Sequence, residues 1–284
     1  MTHDPGPASC FPELSARHVT VIQEGWDSEV VAVAGEIVRV PRRRETQALA
    51  RAEARILPIL AEALPVAVPV PERVCPEHGS MRYRRIPGEP ASTNRLTASC
   101  LDVVATQMAT FLAALRQVST ATASQAGIPD LSGGAWRAHH ADVAARFADV
   151  VLPHLPKEVG ASARRLLDAT CDLPGDVSAC VVHADLGPAH LLCDDAGLRG
   201  VIDWGNVAIG DPAIDLAWML NGAPREIGQA LRDRLRLEEG EVDRARLYHQ
   251  LGPWYEVEHG LRIGDERFVA SGVQGVVRRL MARP

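Results

Sequence analysis

The stretch from His183 to Asp215 constrains the fold of this chain more than any other part of the sequence. Within it, Asp185 and His190 flank a loop, and Asp203 follows a polar turn and a short apolar segment. The segments SACVVH, LLC and GVID are typical of three short strands, and the polar turn Asp194–Gly197 predicts a hairpin of the last two. Such a hairpin would bring Asp203 back beside His190, with Asp185 on the same side.

This order of groups fits phosphoryl transfer, in which one carboxylate accepts the proton of the acceptor hydroxyl and other groups hold magnesium. Asp185 is the candidate for the first task, and His190 and Asp203 are the candidates for the second. A metal-dependent hydrolase that also uses His183 is an alternative, but the remaining histidines show no second cluster of ligands. The sequence contains neither a P-loop nor a G-x-S-x-G motif, which disfavours a Walker-type ATPase and a serine hydrolase.

The pattern of apolar residues changes at Pro87–Pro90 and predicts an α+β protein. Before this point we expect a loose lead-in at 1–18, then an antiparallel meander, a helix over 45–64 and two further strands; the strands are Val19–Gln23, Val30–Ala34, Glu36–Val40, Val70–Val74 and Met81–Ile86. After it, helical periodicity dominates, over Ala98–Val118, Trp136–Val150, Ala161–Ala169, Glu226–Leu235, Val242–His259 and Asp265–Met281. The prediction is a small antiparallel-sheet lobe at 19–87 and a larger, mainly helical lobe at 88–284.

The overall charge and hydropathy exclude several classes of partner. A net charge of −6 argues against a nucleic-acid partner and is favourable to a cationic small molecule. The chain has no apolar run of 18 residues and no signal-peptide pattern, so we expect a cytoplasmic monomer with no membrane partner. The six cysteines are scattered through the sequence, which predicts free thiols.

The motifs HADLGPAHLL and VIDWG resemble the H-x-D-x-x-x-x-N and I-D-F/W-G signatures of the antibiotic phosphotransferases. His190 stands where most members have asparagine, as in the aminoglycoside 2″- and macrolide 2′-phosphotransferases. The resemblance implies a protein-kinase-like two-lobe fold, ATP or GTP as co-substrate and two Mg²⁺ ions. It implies that Asp185 is the base and that His190 and Asp203 bind magnesium. His183 and Asp215 would support the catalytic loop.

The resemblance extends to the first lobe through GEIVRVPRR and EARILPIL, which match the strand and helix that carry a phosphate-binding base and its glutamate partner. The base would be Arg39 and the partner Glu53. Since Lys157 is the only lysine of the chain, a cation that bridges phosphates in this lobe has to be arginine. The turn ending at Ser28 would cover the phosphates, and the purine would meet the hinge formed by Tyr83, Arg84 and Ile86.

A late predicted helix carries Trp254, Glu256 and Glu258, which resemble a segment lining the antibiotic pocket of the 2″-phosphotransferases; a half-buried helical face is the alternative interpretation. Acidic groups there favour an aminoglycoside-like, cationic antibiotic. The run EARILPILAEALPVAVPVPE instead favours a macrolide, and a metabolic small-molecule kinase of the same fold stays open. In a different class, a nucleotide-binding pseudokinase would fit the missing lysine and the glycine-poor turn, although Asp185 and Asp203 argue against it.

Overall fold

The antiparallel meander predicted near the start of the chain is present in the computed structural model, which describes residues 10–12, 20–24, 26, 28–91 and 98–282. The turn between its second strand (β2, Ser28–Val33) and third strand (β3, Glu36–Pro41) consists of Ala34 and Gly35, whose φ angles of 49° and 86° are those of a type I′ turn. The strand predicted at 70–74 is present only as Arg73–Val74 (β4), because prolines at 69 and 71 cannot donate to a ladder. The sheet has the order β1-β2-β3-β5-β4, with strands β1 (Thr20–Glu24), β2 (Ser28–Val33), β3 (Glu36–Pro41), β4 (Arg73–Val74) and β5 (Met81–Arg84).

Helix α1 (Arg44–Ala63) follows the meander and contacts strand β3. Its apolar face is formed by Ile56, Leu57 and Leu60, whose side chains are fully buried. Glu53 precedes Ile56 by three residues, so it lies on the same buried face of the helix. The amphipathic pattern of the helix therefore brings a carboxylate to the sheet.

The predicted hairpin is formed by β8 (Leu191–Asp194) and β9 (Gly197–Val201), which pair antiparallel. Gly197 has a φ of 106°, a conformation that a residue with a Cβ rarely adopts, and it begins β9 directly after the turn of the hairpin. The amide of Leu198 donates to Oε1 of Gln107 over 2.7 Å. The neighbouring elements are β6 (Glu89–Pro90), α2 (Ala98–Leu115), α3 (Thr120–Gln125), β7 (Cys180–Val182) and β10 (Ala208–Gly210), of which β6 pairs with β8 and β10 with β7.

The chain divides into two compact units. The first comprises the described residues up to Pro129 together with Cys180–Ile209, and the second comprises Asp130–Ala179 and the described residues from Gly210 onward. The predicted lobe boundary at residue 87 stays a prediction. No helix in the described part of the chain is long and apolar enough to cross a membrane. The second unit contains helices α4 (Gly134–Val150), α5 (Gly160–Cys171), α6 (Ala217–Asn221), α7 (Arg225–Leu235), α8 (Glu239–Ile263) and α9 (Glu266–Met281).

Candidate active site

The register of the β8–β9 hairpin brings Asp203 beside His190. Leu191 lies opposite Val201, so the residue before β8 and the residues after β9 meet at one end of the hairpin. There the amide of Ile202 donates to the carbonyl of His190 over 2.9 Å. The Nε2 atom of His190 lies 3.5 Å from Oδ2 of Asp203. The convergence predicted from the sequence is thus produced by local strand pairing.

A hydrogen bond to Asp185 selects the tautomer of His190. The Nδ1 atom of His190 lies 2.6 Å from the main-chain oxygen of Asp185, and a carbonyl oxygen can only accept. Nδ1 therefore carries the proton, and the lone pair of the neutral ring is on Nε2, which faces Asp203. A metal-binding imidazole needs this arrangement, with one nitrogen held by a carbonyl and the other free to bind the ion.

His183 is completely buried and connects the end of β7 to the loop that begins at Asp185. Its Nε2 lies 3.0 Å from the carbonyl of Ile202, and its Nδ1 accepts a hydrogen bond from the amide of Asp185 over 3.3 Å. Burial, with a further contribution from His190, lowers the pKa of His183 to about 3. The ring is therefore neutral and holds the backbone that carries Asp185.

Two residues of the site have left-handed backbone conformations although neither is glycine. Ala184, between His183 and Asp185, has a φ of 63°, and Asp203 has a φ of 64° and a ψ of 63°. Such conformations cost free energy and persist only where surrounding contacts hold them, and they are common at functional sites. Ala184 lies between β7 and Asp185, and Asp203 follows β9, so both conformations occur at or beside the carboxylates of the site.

The guanidinium of Arg39 joins the sheet, helix α1 and the hairpin. Its Nη1 pairs with Oε2 of Glu53, and its Nη2 donates to Oδ1 of Asp203 over 2.9 Å. The side chain of Glu53 is only 2% exposed and that of Arg39 12%. Burial acts to lower the pKa of Arg39, but Glu53 and Asp203 outweigh it and raise that pKa, so the group stays charged. Burial acts to raise the pKa of Asp203, and Arg39 and His190 reverse this and lower it.

Gly205 lies directly beneath this guanidinium. A Cβ atom at position 205 would come within 2.7 Å of Nη2 of Arg39, closer than the two atoms can approach. The glycine of the D-W-G sequence thus leaves the space that the arginine side chain occupies.

His190 and Asp203 fit a magnesium ion that arrives with a nucleotide. Within the described residues, no group of three or more His, Cys, Asp or Glu side chains could hold a metal ion alone. Magnesium keeps several waters and binds through one or two protein groups together with phosphate oxygens, so a pair of ligands is sufficient. The carboxylate of Asp203 and the free lone pair on Nε2 of His190 are close enough to share one ion.

The residues predicted to bind the nucleotide lie on the first sheet or just after it. Ser28 opens β2 and is buried, whereas Gly25 and Asp27 of its turn lie outside the described residues. Tyr83 lies in β5, where burial raises the pKa of its hydroxyl. Arg84 is exposed and donates to Glu72 Oε1 over 2.7 Å. Ile86 is buried. Nucleotide contacts by these residues stay predictions.

The structure does not support Trp254 as a pocket-lining residue. Its indole is fully buried and lies against Phe147, with ring centroids 5.7 Å apart. It belongs to the core of the second unit and is more deeply buried than the half-buried helical face of the alternative interpretation. Glu258 is an ion-pair partner of Arg146, and Glu256 is half-buried near Arg279. Substrate contacts by the two glutamates stay predictions.

Asp211 and Asp215 are both buried in the second unit. The Asp211 carboxylate accepts two hydrogen bonds from Arg244, at 2.7 and 3.2 Å, and one from the hydroxyl of Tyr248 at 2.8 Å. The indole of Trp136 donates in turn to Tyr248 over 2.8 Å. This network joins the Asp211 segment to helices α4 and α8, whereas the predicted support of the catalytic loop by Asp215 stays a prediction.

Asn206 is a further residue of the site that the sequence did not indicate. Its Nδ2 lies 3.5 Å from Oδ2 of Asp185, and it follows Asp203 in a 3₁₀ helix (Trp204–Asn206). Asparagine is common in exposed turns, so the sequence offers no signal that distinguishes this residue from a solvated one.

Three comparisons with known proteins agree with this geometry. The model of a family described as the phosphotransferase enzyme family matches residues 18–254. Viomycin phosphotransferase of Streptomyces vinaceus is 30% identical over 197 residues, which are 67% of this chain and 67% of that protein.

Solved structures show the fold. The GDP and kanamycin complex of APH(2″)-IIIa has a TM-score of 0.85 at 21% identity and covers 96% of both chains. Macrolide 2′-phosphotransferase MphH from Brachybacterium faecium has a TM-score of 0.69 at 21% identity, covering 98% of this chain and 99% of that one. The predicted α+β, kinase-like fold, with an antiparallel sheet followed by a mainly helical remainder, is confirmed.

Proposed function

This chain belongs to the phosphotransferase enzyme family, and we propose that it transfers the γ-phosphoryl group of ATP or GTP to a hydroxyl of an antibiotic. The observation that carries the proposal is the meeting of Asp185, His190, Asp203 and Arg39 in one unit of the fold. A carboxylate for the acceptor, two metal ligands and a phosphate-binding cation are the groups that phosphoryl transfer requires.

Asp185 is the group that receives the acceptor hydroxyl. Its side chain is 53% exposed, while its backbone is held by hydrogen bonds with His183 and His190. The carboxylate accepts the hydroxyl proton and points the oxygen at the phosphorus, so catalysis is mainly positioning.

The remaining groups bind the phosphates. His190 and Asp203 would hold Mg²⁺, which would supply positive charge to the phosphate oxygens. Arg39 binds the phosphates with a charged, planar donor that can form two parallel hydrogen bonds to their oxygens. Glu53 is buried and holds one outer nitrogen of the Arg39 guanidinium, which leaves the other outer nitrogen to bind phosphate.

Viomycin is the first substrate to test, because the curated relative that acts on it is 30% identical to this chain. An aminoglycoside-like, cationic antibiotic is the broader class, which the net charge of −6 and Glu256 support. Glu258 contributes less to this argument than the sequence suggested, because Arg146 balances its charge. A macrolide acceptor stays an alternative on the sequence run between 53 and 72.

The test is nucleotide consumption, with ATP and with GTP, in the presence of viomycin, kanamycin, gentamicin, streptomycin or a macrolide. We expect one of them to stimulate turnover and to gain a phosphate detectable by mass spectrometry. Asp185→Asn should reduce the rate by about 10²-fold or more, the range for a positioned acid–base group. Asp195→Asn, an exposed acid on the same hairpin, is the matched control. A panel without phosphorylated product, together with equal nucleotide turnover by the unchanged protein and Asp185→Asn, would overturn the proposal.

A further inference from the structure

We propose that Asn206 is a positioning residue that orients the carboxylate of Asp185 toward the acceptor hydroxyl, an inference that rests on the proposed function. The Nδ2 atom of Asn206 lies 3.5 Å from Oδ2 of Asp185. An amide donor on one carboxylate oxygen leaves the other oxygen for the hydroxyl of the substrate.

The contact acts on a residue whose backbone is held in place, since His183 accepts a hydrogen bond from the amide of Asp185 and His190 donates one to its carbonyl. The side chain is 53% exposed, and a carboxylate in contact with water has several rotamers available. A donor fixed beside Oδ2 favours the rotamer in which the carboxylate faces it.

The backbone that carries Asn206 is rigid enough for this task. Its 3₁₀ helix is closed by a hydrogen bond from the amide of Val207 to the carbonyl of Trp204 over 3.1 Å. The Trp204 ring is fully buried, its Nε1 donates to Val201 over 2.9 Å, and Phe111 packs edge-on against it at 6.3 Å. Asn206 is therefore an exposed amide on a turn anchored in the core.

The residue type also fits the chemistry. An arginine or lysine at position 206 would form a charge-assisted bond that stabilises the carboxylate and weakens it as a proton acceptor. A neutral amide orients the group with a smaller effect on its basicity. The distance of 3.5 Å is long for a hydrogen bond, and catalytic hydrogen bonds of free enzymes commonly shorten when the acceptor is bound.

Three variants at one position separate orientation from space filling. Asn206→Ala removes the donor, and we expect kcat with the antibiotic to fall about tenfold while the KM for nucleotide stays within about twofold. Asn206→Asp keeps the shape but replaces the donor by an acceptor facing Oδ2, so it should be less active than Asn206→Ala. Asn206→Gln keeps the donor on a longer side chain and should retain more kcat than Asn206→Asp. Asn221→Ala, at an exposed asparagine that donates to Ala217 over 2.9 Å, is the matched control and should behave as the unchanged protein.

A purely structural role predicts the opposite order, with the isosteric Asn206→Asp more active than Asn206→Ala. The decisive measurement is a double-mutant cycle: in the Asp185→Asn background, Asn206→Ala should have no further effect on kcat, because there is no base left to orient. Binding of a fluorescent nucleotide analogue and the midpoint of thermal unfolding establish that each variant is folded.

The outcomes distinguish this inference from the proposed function. If Asp185→Asn has full activity, the assignment of the base fails, and the role of Asn206 fails with it. If Asp185→Asn is impaired but Asn206→Ala and Asn206→Asp both have unchanged kcat, the inference about Asn206 alone is overturned. Additive effects in the double-mutant cycle would also overturn it.

Discussion

Nη2 of Arg39 donates to Oδ1 of Asp203 over 2.9 Å, so the proposed phosphate-binding cation and the proposed metal ligand are paired with each other. The other end of the guanidinium is held by Glu53. A bound nucleotide and its metal would offer phosphate oxygens to Arg39 and a cation to Asp203. An arginine suits this position because its two outer nitrogens bind different partners at once.

We expect Arg39→Gln to raise the KM for nucleotide by about tenfold or more, since a charge-assisted contact to phosphate contributes on the order of 1.5–3 kcal/mol. It should also destabilise the fold by about 3–5 kcal/mol, because it leaves the buried Glu53 carboxylate without its cation. Arg39→Lys keeps the charge but not the two-ended contact, and should be intermediate in both. Steady-state kinetics and denaturant unfolding measure the two effects.

Arg82→Gln, which breaks the half-buried pair with Glu36 in the same sheet, is the control for the KM for nucleotide. Equal KM values for Arg39→Gln and this control would contradict the assignment of Arg39 to the phosphates.

Gly205→Ala should reduce kcat/KM for nucleotide by about tenfold, because its Cβ would lie 2.7 Å from Nη2 of Arg39 and displace the guanidinium. In the Arg39→Lys background the loss should be smaller, since a single ammonium nitrogen replaces the bulky guanidinium. Gly187→Ala, on the catalytic loop at a φ of −135° with no atom within 4 Å of the added Cβ, should be nearly neutral. An equal loss from Gly205→Ala in both backgrounds would show that the glycine serves another purpose.

His190→Ala should raise the magnesium concentration needed for half-maximal activity by about tenfold or more, since it removes one of two protein ligands. His190→Asn should be less affected, because an amide oxygen can replace the imidazole nitrogen as a ligand. A titration of activity against free Mg²⁺ at saturating nucleotide distinguishes the two, and Mn²⁺ binding to the nucleotide complex checks it without turnover. Identical magnesium dependence for His190→Ala and the unchanged protein would remove His190 from the metal site.

The sequence predicted the parts of the site that depend on short-range order. Asp203 returns to His190 because a hairpin with one polar turn admits few registers, and the buried face of α1 determines where Glu53 points. The pairing of Glu53 with Arg39 came from family resemblance, since strand and helix patterns do not determine which charged groups meet.

The features that the sequence left undetermined depend on packing between segments distant in sequence. From the sequence alone, Trp254 is equally compatible with the wall of a pocket and with a buried core. Its ring contact with Phe147 is seen only in the structure. The ion pair of Glu258 with Arg146 joins residues 112 apart, and a sequence pattern does not specify such pairings. The hydrogen bond from Asn206 to Asp185 depends on the side-chain conformation of Asn206. The sequence does not determine that conformation, because the residue lies in an exposed turn.

Asp211→Asn should destabilise the protein by about 2–4 kcal/mol, because a carboxylate with 1% exposure neutralises the guanidinium of Arg244 and accepts the hydroxyl of Tyr248. Replacement by an amide removes the charge and turns one acceptor into a donor that faces other donors. Denaturant unfolding measures the loss, with Asp233→Asn, an exposed acid bonded to Gln229, as the control. A change within about 0.5 kcal/mol would show that the network contributes little to stability.

The stability of the second unit should fall as the solution is acidified, because His140 is buried as a neutral ring. It lies between Trp136, at 4.7 Å, and Tyr248, at 5.2 Å, and burial lowers its pKa to about 4, against 6.5 in the unfolded chain. Between these two values the unfolded state binds the proton that the folded state excludes. The contribution is therefore complete above pH 6.5 and is lost as the pH falls toward 4, by up to about 3 kcal/mol.

His140→Phe removes the titrating ring while keeping an aromatic side chain, and should make the free energy of unfolding less dependent on pH across this window. His154→Phe, at an exposed position, should leave the dependence of the unchanged protein intact. Urea unfolding at pH 7, 6, 5 and 4.5 measures the slope for each protein. A slope for His140→Phe equal to that of the unchanged protein would mean that other groups cause the loss of stability in acid.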